Sequence, residues 1–256
     1  MRHFYSAVKS SFVALAIVFG GTTKCYADQG FLACLQFFAH ETPPIVEKRP
    51  KQRALCYDAF AILHSGESKT PVLVAQRLNR ASVAEAGEKR TNHFFADARL
   101  RLAERASLED YQGSGYDRGH MAPAGDMPTA QAMAQSFSLA NMVPQAPAHN
   151  RGTWATSVEA STRKYAARAA GNVYVITGPI FLPNIEESPS IGRGQVRVPK
   201  YLFKLVYDQN ENRAWAYLDE NSNETTASAP ISYQELVEKT GINFLPSGDL
   251  NRPKRQ

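Results

Sequence analysis

Tyr116-Asp117-Arg118-Gly119-His120-Met121-Ala122-Pro123 sets the terms for the rest of this chain. A histidine follows an aspartate, an arginine and a glycine without interruption, with Gly113-Ser114-Gly115 just upstream and a proline just downstream. Histidine titrates near physiological pH and is the usual general base. Arginine matches phosphate oxygens through its planar fork, and glycine lets backbone pass close to a ligand. Together these residue types suit phosphodiester chemistry. The structural alternative is a buried histidine, a surface ion pair between Asp117 and Arg118 and a turn glycine, and the motif alone does not choose between the two.

A second block lies some thirty residues on. Asn141-Met142-Val143-Pro144-Gln145 precedes Asn150-Arg151-Gly152-Thr153-Trp154, and Glu159 and Arg163 follow at helical spacing. GYDRGHMAPAGDM followed by LANMVPQAPAHNRGTW resembles the DNA/RNA non-specific endonucleases, the ββα-metal family. The resemblance extends through Val74 to Arg80, Phe94 to Leu100, Val196 to Asp208 and Ile231 to Pro246. It implies an α+β fold with a largely antiparallel central sheet flanked by helices.

The resemblance also implies roles. His120 is the expected general base, Asn150 the single protein ligand of a hydrated Mg²⁺, with Mn²⁺ able to substitute, and Glu159 a carboxylate orienting water around the metal. Arg118 and Arg163 are expected phosphate contacts, and Arg90 is a positional candidate for an upstream substrate-binding arginine. A neutral amide oxygen suits a hard cation that keeps most of its waters, not tight zinc binding. One departure stands out: the family's glutamate falls four residues after the tryptophan, whereas Glu159 is five after Trp154. A one-residue helix bulge would absorb the difference.

The N-terminus carries Arg2 and Lys9, an apolar run from Phe12 to Phe19 and the small-x-small pattern Cys25-Tyr26-Ala27. It reads as a signal peptide over residues 1–27, giving a secreted or periplasmic protein cleaved near Ala27. The apolar core is too short to span a bilayer, which needs about 20 residues, and no membrane association is expected. Without residues 1–27, Lys and Arg fall from 29 to 26 against 24 acids, so nucleic acid must be held by a local basic patch. Cys34 and Cys56 then remain as an even pair and suggest one disulfide.

No repeat or linker divides residues 28–250, which read as one nuclease domain, and Asn251 to Gln256 as a disordered tail. Strands are expected at 56–63, 71–78, 173–177, 195–198, 201–207 and 213–218. Helices are expected at 126–139, 151–170 and 231–240. In the long helix, Asn150 stands where a favoured N-cap belongs and Glu159 and Arg163 form an i,i+4 pair. Nothing resembles a base-reading module, so DNA and RNA are expected as substrates contacted through the backbone. The competing readings are a secreted binder of nucleic acid that does not cut it, and a phosphodiesterase of small nucleotides.

Overall fold

The computed structural model describes residues 30–246 together with Met1 and Leu250. Apart from Met1, the expected signal peptide and the C-terminal tail lie outside the described residues.

In chain order the strands are β1 (Gln52–Cys56), β2 (Ala61–Ser65), β3 (Thr70–Leu78), β4 (Asp117–His120), β5 (Met142–Gln145), β6 (Val173–Ile180), β7 (Ser190–Ile191), β8 (Val196–Arg197), β9 (Tyr201–Asp208), β10 (Arg213–Glu220) and β11 (Ile231–Ser232). The α-helices are α1 (Arg80–Glu85), α2 (Leu108–Tyr111), α3 (Ala130–Ser136), α4 (Pro147–His149), α5 (Ala160–Ala166) and α6 (Tyr233–Thr240). Between α4 and α5 the chain stays helical as a π-helical segment, Asn150–Glu159.

Seven strands form one sheet in the order β1-β2-β3-β6-β9-β10-β11, and every neighbouring pair is antiparallel. Side chains alternate across a strand, so the sheet serves two layers. Ile62, Val74 and Leu202 join a core with Met121, Phe137 and Trp154. Their neighbours Leu63, Leu73, Ala75 and Phe203 join a second core with Phe31, Phe38, Leu236 and Phe244. The N-terminal arm and α6 therefore cover one face, and the elements that carry the motifs cover the other. Trp154 is fully buried in the motif-side core; truncating such a residue to Ala costs about 3–5 kcal/mol.

Two expectations change. The run Cys56 to Leu63 is not one strand: β1 ends at Cys56, and Tyr57 N–H donates to Phe60 O at 2.9 Å to close a turn into β2. Tyr57 and Phe60 stack with ring centroids 4.4 Å apart. The helix expected over 126–139 is confined to α3, which starts where Thr129 accepts the Ala132 N–H at its N-cap. Cys34 and Cys56 are joined by a disulfide, Cα–Cα 5.7 Å, tying the N-terminal arm to the end of β1. No helix among the described residues is long and apolar enough to cross a membrane.

Candidate active site

DRGH forms β4 in its entirety, paired antiparallel with β5 so that Asp117 faces Gln145 and His120 faces Met142. The helical run from Pro147 follows directly, completing a strand-strand-helix unit on the motif side of the sheet. Within β4 the two-residue period sorts the side chains. Arg118 and His120 turn toward Phe94, while Asp117 and Gly119 turn toward the helix start. Gly119 is required by contact: a Cβ there would lie 2.6 Å from Gln145 Cβ.

His120 is buried between aromatic rings, 5.8 Å from Phe94 and 5.0 Å edge-on to Phe137 by centroid. Its Nε2 is buried and has no hydrogen-bond partner among the described residues. Burial first, and the Arg90 guanidinium second, push its pKa down to about 3, so the ring is neutral at physiological pH. The carbonyl and amide just beyond it are fixed by Asn141. That fully buried side chain donates Nδ2 to Ala122 O at 2.9 Å and accepts the Ala122 N–H at 2.9 Å.

Asn150 is not a helix N-cap. The helix begins earlier, at Pro147, and Asn150 directs Nδ2 to Asp117 Oδ2 at 2.9 Å. Arg151 closes on the same carboxylate, Nη2 to Oδ1 at 2.6 Å, so Asp117 pairs with Arg151 and not with Arg118. These bonds hold the Asp117 carboxyl below the usual range against the opposing effect of burial. With its Nδ2 committed to Asp117, Asn150 turns its amide oxygen away as a hard acceptor without a hydrogen bond among the described residues.

The extra residue between Trp154 and Glu159 is absorbed by the π-helical segment, where Ala160 N–H donates to Ala155 O, five residues back. Gly152 departs from helical geometry inside it (φ −100°, ψ −109°). The widened helix sends Glu159 into a charged cluster on the motif side. Burial raises its pKa to about 7 and Asp126 adds to the rise, opposed by Lys204, Arg163 and Arg90. His120 and Glu159 thus both lie within electrostatic reach of Arg90.

The expected Glu159–Arg163 ion pair does not form. Arg163 Nε donates instead to Asp126 Oδ1 at 2.7 Å, a partner 37 residues away. Arg118 is half-buried with its guanidinium 4.2 Å from the Phe94 ring centroid and makes no ion pair or hydrogen bond among the described residues. Arg90 is exposed, 5.1 Å over Phe137, and donates to Asn92 Oδ1 at 2.6 Å. A cavity of about 390 Å³, lined by Tyr111, Tyr116, Asp117 and Arg118 among others, adjoins this edge.

Sequence reading passed over Asp117 as anchor, Asp126 as the arginine's partner, and Lys204. Lys204 is buried on β9, with Nζ 2.7 Å from Thr177 Oγ1 and 5.7 Å from the Trp154 ring centroid. A lysine within the apolar run Tyr201 to Tyr207 is the one local signal that could have found it. Among the described residues no group of three or more His, Cys, Asp or Glu side chains could hold a metal ion.

The model of the DNA/RNA non-specific endonuclease family matches residues 45–250. Human mitochondrial Endonuclease G is 34% identical over 167 residues, 62% of this chain and 53% of its own length. Mitochondrial Nuclease EXOG of Xenopus laevis is 27% identical over 252 residues, 86% of this chain and 70% of its own. The crystal structure of the EndoG/EndoGI complex superposes with a TM-score of 0.66 at 28% identity, covering 75% of this chain and 84% of that one. The expected secreted or periplasmic location does not stand. Endonuclease G, Nuclease EXOG and Nuclease 1 of Schizosaccharomyces pombe are all named as mitochondrial nucleases. The match across residues 45–250 identifies the chain as a member of the DNA/RNA non-specific endonuclease family, whose nucleases are metal-dependent.

Proposed function

We propose that this protein is a Mg²⁺-dependent endonuclease that hydrolyses DNA and RNA phosphodiester bonds with little sequence preference and leaves 5′-phosphate ends. The observation that carries the proposal is the single strand β4. It supplies both a neutral, buried His120, whose Nε2 has no hydrogen-bond partner among the described residues, and the Asp117 that aims Asn150.

Asn150 Oδ1 fits a hydrated hard cation, since the amide's donor end is committed to Asp117 and its oxygen is left as acceptor. When bound there, Mg²⁺ supplies charge to the phosphate and to the departing 3′ oxygen. His120 accepts the proton of the attacking water at a ring nitrogen, and its depressed pKa keeps that nitrogen deprotonated over the physiological range. Phe94 and Phe137 fix the ring's orientation and exclude competing water from it. Arg118, stacked on Phe94 and unpaired among the described residues, offers its fork to phosphate oxygens. Arg163 is held by Asp126, and Glu159, ionised above about pH 7, orients water beside the cation. Arg90 extends the positive edge toward the flanking backbone.

The test is digestion of supercoiled plasmid and of total RNA by the full chain with Mg²⁺ or with EDTA, beside His120→Ala and Asn150→Ala. Metal-dependent loss of both substrates, reduced by several orders of magnitude in both variants, is the expected result. Gel retention of nucleic acid without cleavage under any divalent ion would make the protein a binder and sink the proposal.

A further inference from the structure

The helical run that carries Asn150 begins without a cap of its own. Its N-cap residue is Ala146, which has no capping side chain, and Pro147 at the first position has no N–H to give. The missing acceptors come from a segment some 75 residues further along, Asp219 to Thr225, at the end of β10.

Asn221 Oδ1 accepts the Ala146 N–H at 2.8 Å, and Asn223 Oδ1 accepts the Ala148 N–H at 3.0 Å. Asn221 also donates Nδ2 to Pro144 O at 2.9 Å and to Pro199 O at 3.0 Å, pinning the last residues of β5 to the approach to β9. One residue before Asn150, the fully buried His149 places Nε2 3.3 Å from Asp219 Oδ2 while Gln145 Nε2 meets its Nδ1 at 3.2 Å. Three residues after Asn150, Thr153 Oγ1 donates to Thr225 O at 3.1 Å. The segment is itself stiffened: Asn221 N–H donates to Lys200 O at 2.9 Å and Thr225 Oγ1 to Glu220 O at 2.7 Å.

Asn150 therefore has supports on either side of it from one remote segment, and a third from Asp117. A lone amide ligand offers a cation no second protein atom to correct a misplaced first one, so its affinity depends on how firmly the turn is held. We propose that Asp219 to Thr225 is a positioning clamp for the metal-ligating turn, with Asn221 and Asn223 as the residues that set the place of Asn150. The proposal rests on the reading of Asn150 as the cation's ligand.

The experiment titrates Mn²⁺ against the full chain by the paramagnetic resonance signal of free ion and Mg²⁺ against plasmid cleavage. Amide hydrogen exchange is followed over residues 142–155. Asn221→Ala and Asn223→Ala are compared with Asn223→Asp, which keeps the acceptor on Ala148, and with Asn150→Ala. Loss of a bond supporting a ligand weakens metal affinity by about tenfold or more. The expected result is that shift in both alanine variants, faster exchange confined to 142–155, cleavage at saturating Mg²⁺ within a few fold of wild type, and near-complete recovery in Asn223→Asp. Asn223 is exposed, so that pair carries the test even if Asn221→Ala fails to fold. Unchanged metal dependence in the alanine variants, or slower cleavage at saturating metal with no shift in affinity, overturns the clamp. Wild-type Mn²⁺ binding by Asn150→Ala would instead overturn the ligand assignment, separating the two failures.

Discussion

Asn150 donates its amide Nδ2 to Asp117 Oδ2 at 2.9 Å, so the first residue of DRGH orients the side chain that follows it by 33 positions. Asp117→Ala removes that orientation and also releases Arg151. Activity at fixed Mg²⁺ is expected to fall by about 10–100-fold, recovered in part by raising the metal concentration. Arg151→Ala removes only the exposed partner of the pair and is expected to have little effect on cleavage. Equal losses in both variants would mean that the ion pair, and not the aim of Asn150, is what matters. Steady-state cleavage across a Mg²⁺ series separates these cases.

Glu159 gives the site a pH dependence that His120 does not. Burial and Asp126 raise its pKa to about 7, so the carboxyl is protonated below that point and ionised above it. His120, pushed down to about 3, stays neutral throughout the range. The acid limb of cleavage is therefore expected near pH 7, falling about tenfold per unit below it as one required carboxylate is lost. Glu159→Gln is expected to be slower at pH 8 and nearly flat from pH 5.5 to 8. A limb that persists unchanged in the variant would assign it to another group.

Arg118 and Arg90 flank the histidine over Phe94 and Phe137 respectively, and neither has a carboxylate partner among the described residues. Each is expected to contact one phosphate. Replacement by Gln should reduce the slope of log affinity against log salt by about 1 and weaken binding to DNA and RNA alike. Arg90→Gln has a second expected effect, because it removes a cation that depresses His120: the histidine's pKa should rise, visible in its imidazole proton shifts. Salt slopes identical to wild type would place both residues outside the substrate track.

Much of this was open to reading from the chain because the signals were local. DRGH, the Asn150 block and the long apolar strands each declare themselves within ten residues, and Trp154 with Glu159 even exposed a spacing that only a wider helix could absorb. The turn inside Cys56 to Leu63 was hidden by residues that all suit a strand, with Asp58 the sole break. The partner of Arg163 was unreadable for a different reason. Glu159 lies at the favoured i,i+4 spacing, but the π-helical segment leads into burial of that carboxylate, and Asp126 arrives from the short 3₁₀ helix Ala124–Asp126 just beyond DRGH. Trans-capping by Asn221 and Asn223 looks in the sequence like an ordinary polar turn, since its meaning lies in a helix start 75 positions away.

Two buried histidines make the fold acid-sensitive. His64, with Nε2 2.9 Å from Glu104 O, is pushed by burial down to about 4, and His120 to about 3. A lowered folded pKa means that the unfolded chain takes up protons the folded chain refuses, so stability is lost as pH falls from the unfolded value near 6.5 toward the folded ones. Each such histidine contributes a slope of about 1.4 kcal/mol per pH unit in that window. Glu159, raised to about 7, acts with the opposite sign in this window, because the folded chain keeps a proton there that the unfolded chain releases. Urea unfolding between about pH 4.5 and 6.5 is therefore expected to show a net slope smaller than the two histidines alone would give. His64→Gln, which keeps a donor for the Glu104 carbonyl, should lower that slope by about 1.4 kcal/mol per pH unit. A slope unchanged in that variant would show that His64 charges within the folded protein.

Lys204 ties the sheet to the site chemistry. Its ammonium is buried, donates to Thr177 Oγ1 at 2.7 Å, lies 3.5 Å from Met121 O and holds down the pKa of Glu159, while burial lowers its own. Lys204→Met keeps the apolar stem against Trp154 but removes the charge and the donor. Removing one partner from a buried charged cluster costs about 3–5 kcal/mol, so the melting temperature is expected to drop clearly. The more telling outcome concerns pH. Without the opposing cation, the Glu159 carboxyl should ionise later, and the acid limb of cleavage should move to higher pH by a measurable fraction of a unit or more. A purely structural lysine would lower the melting temperature and leave that limb where it is, so the pH profile of the surviving folded enzyme decides between the two.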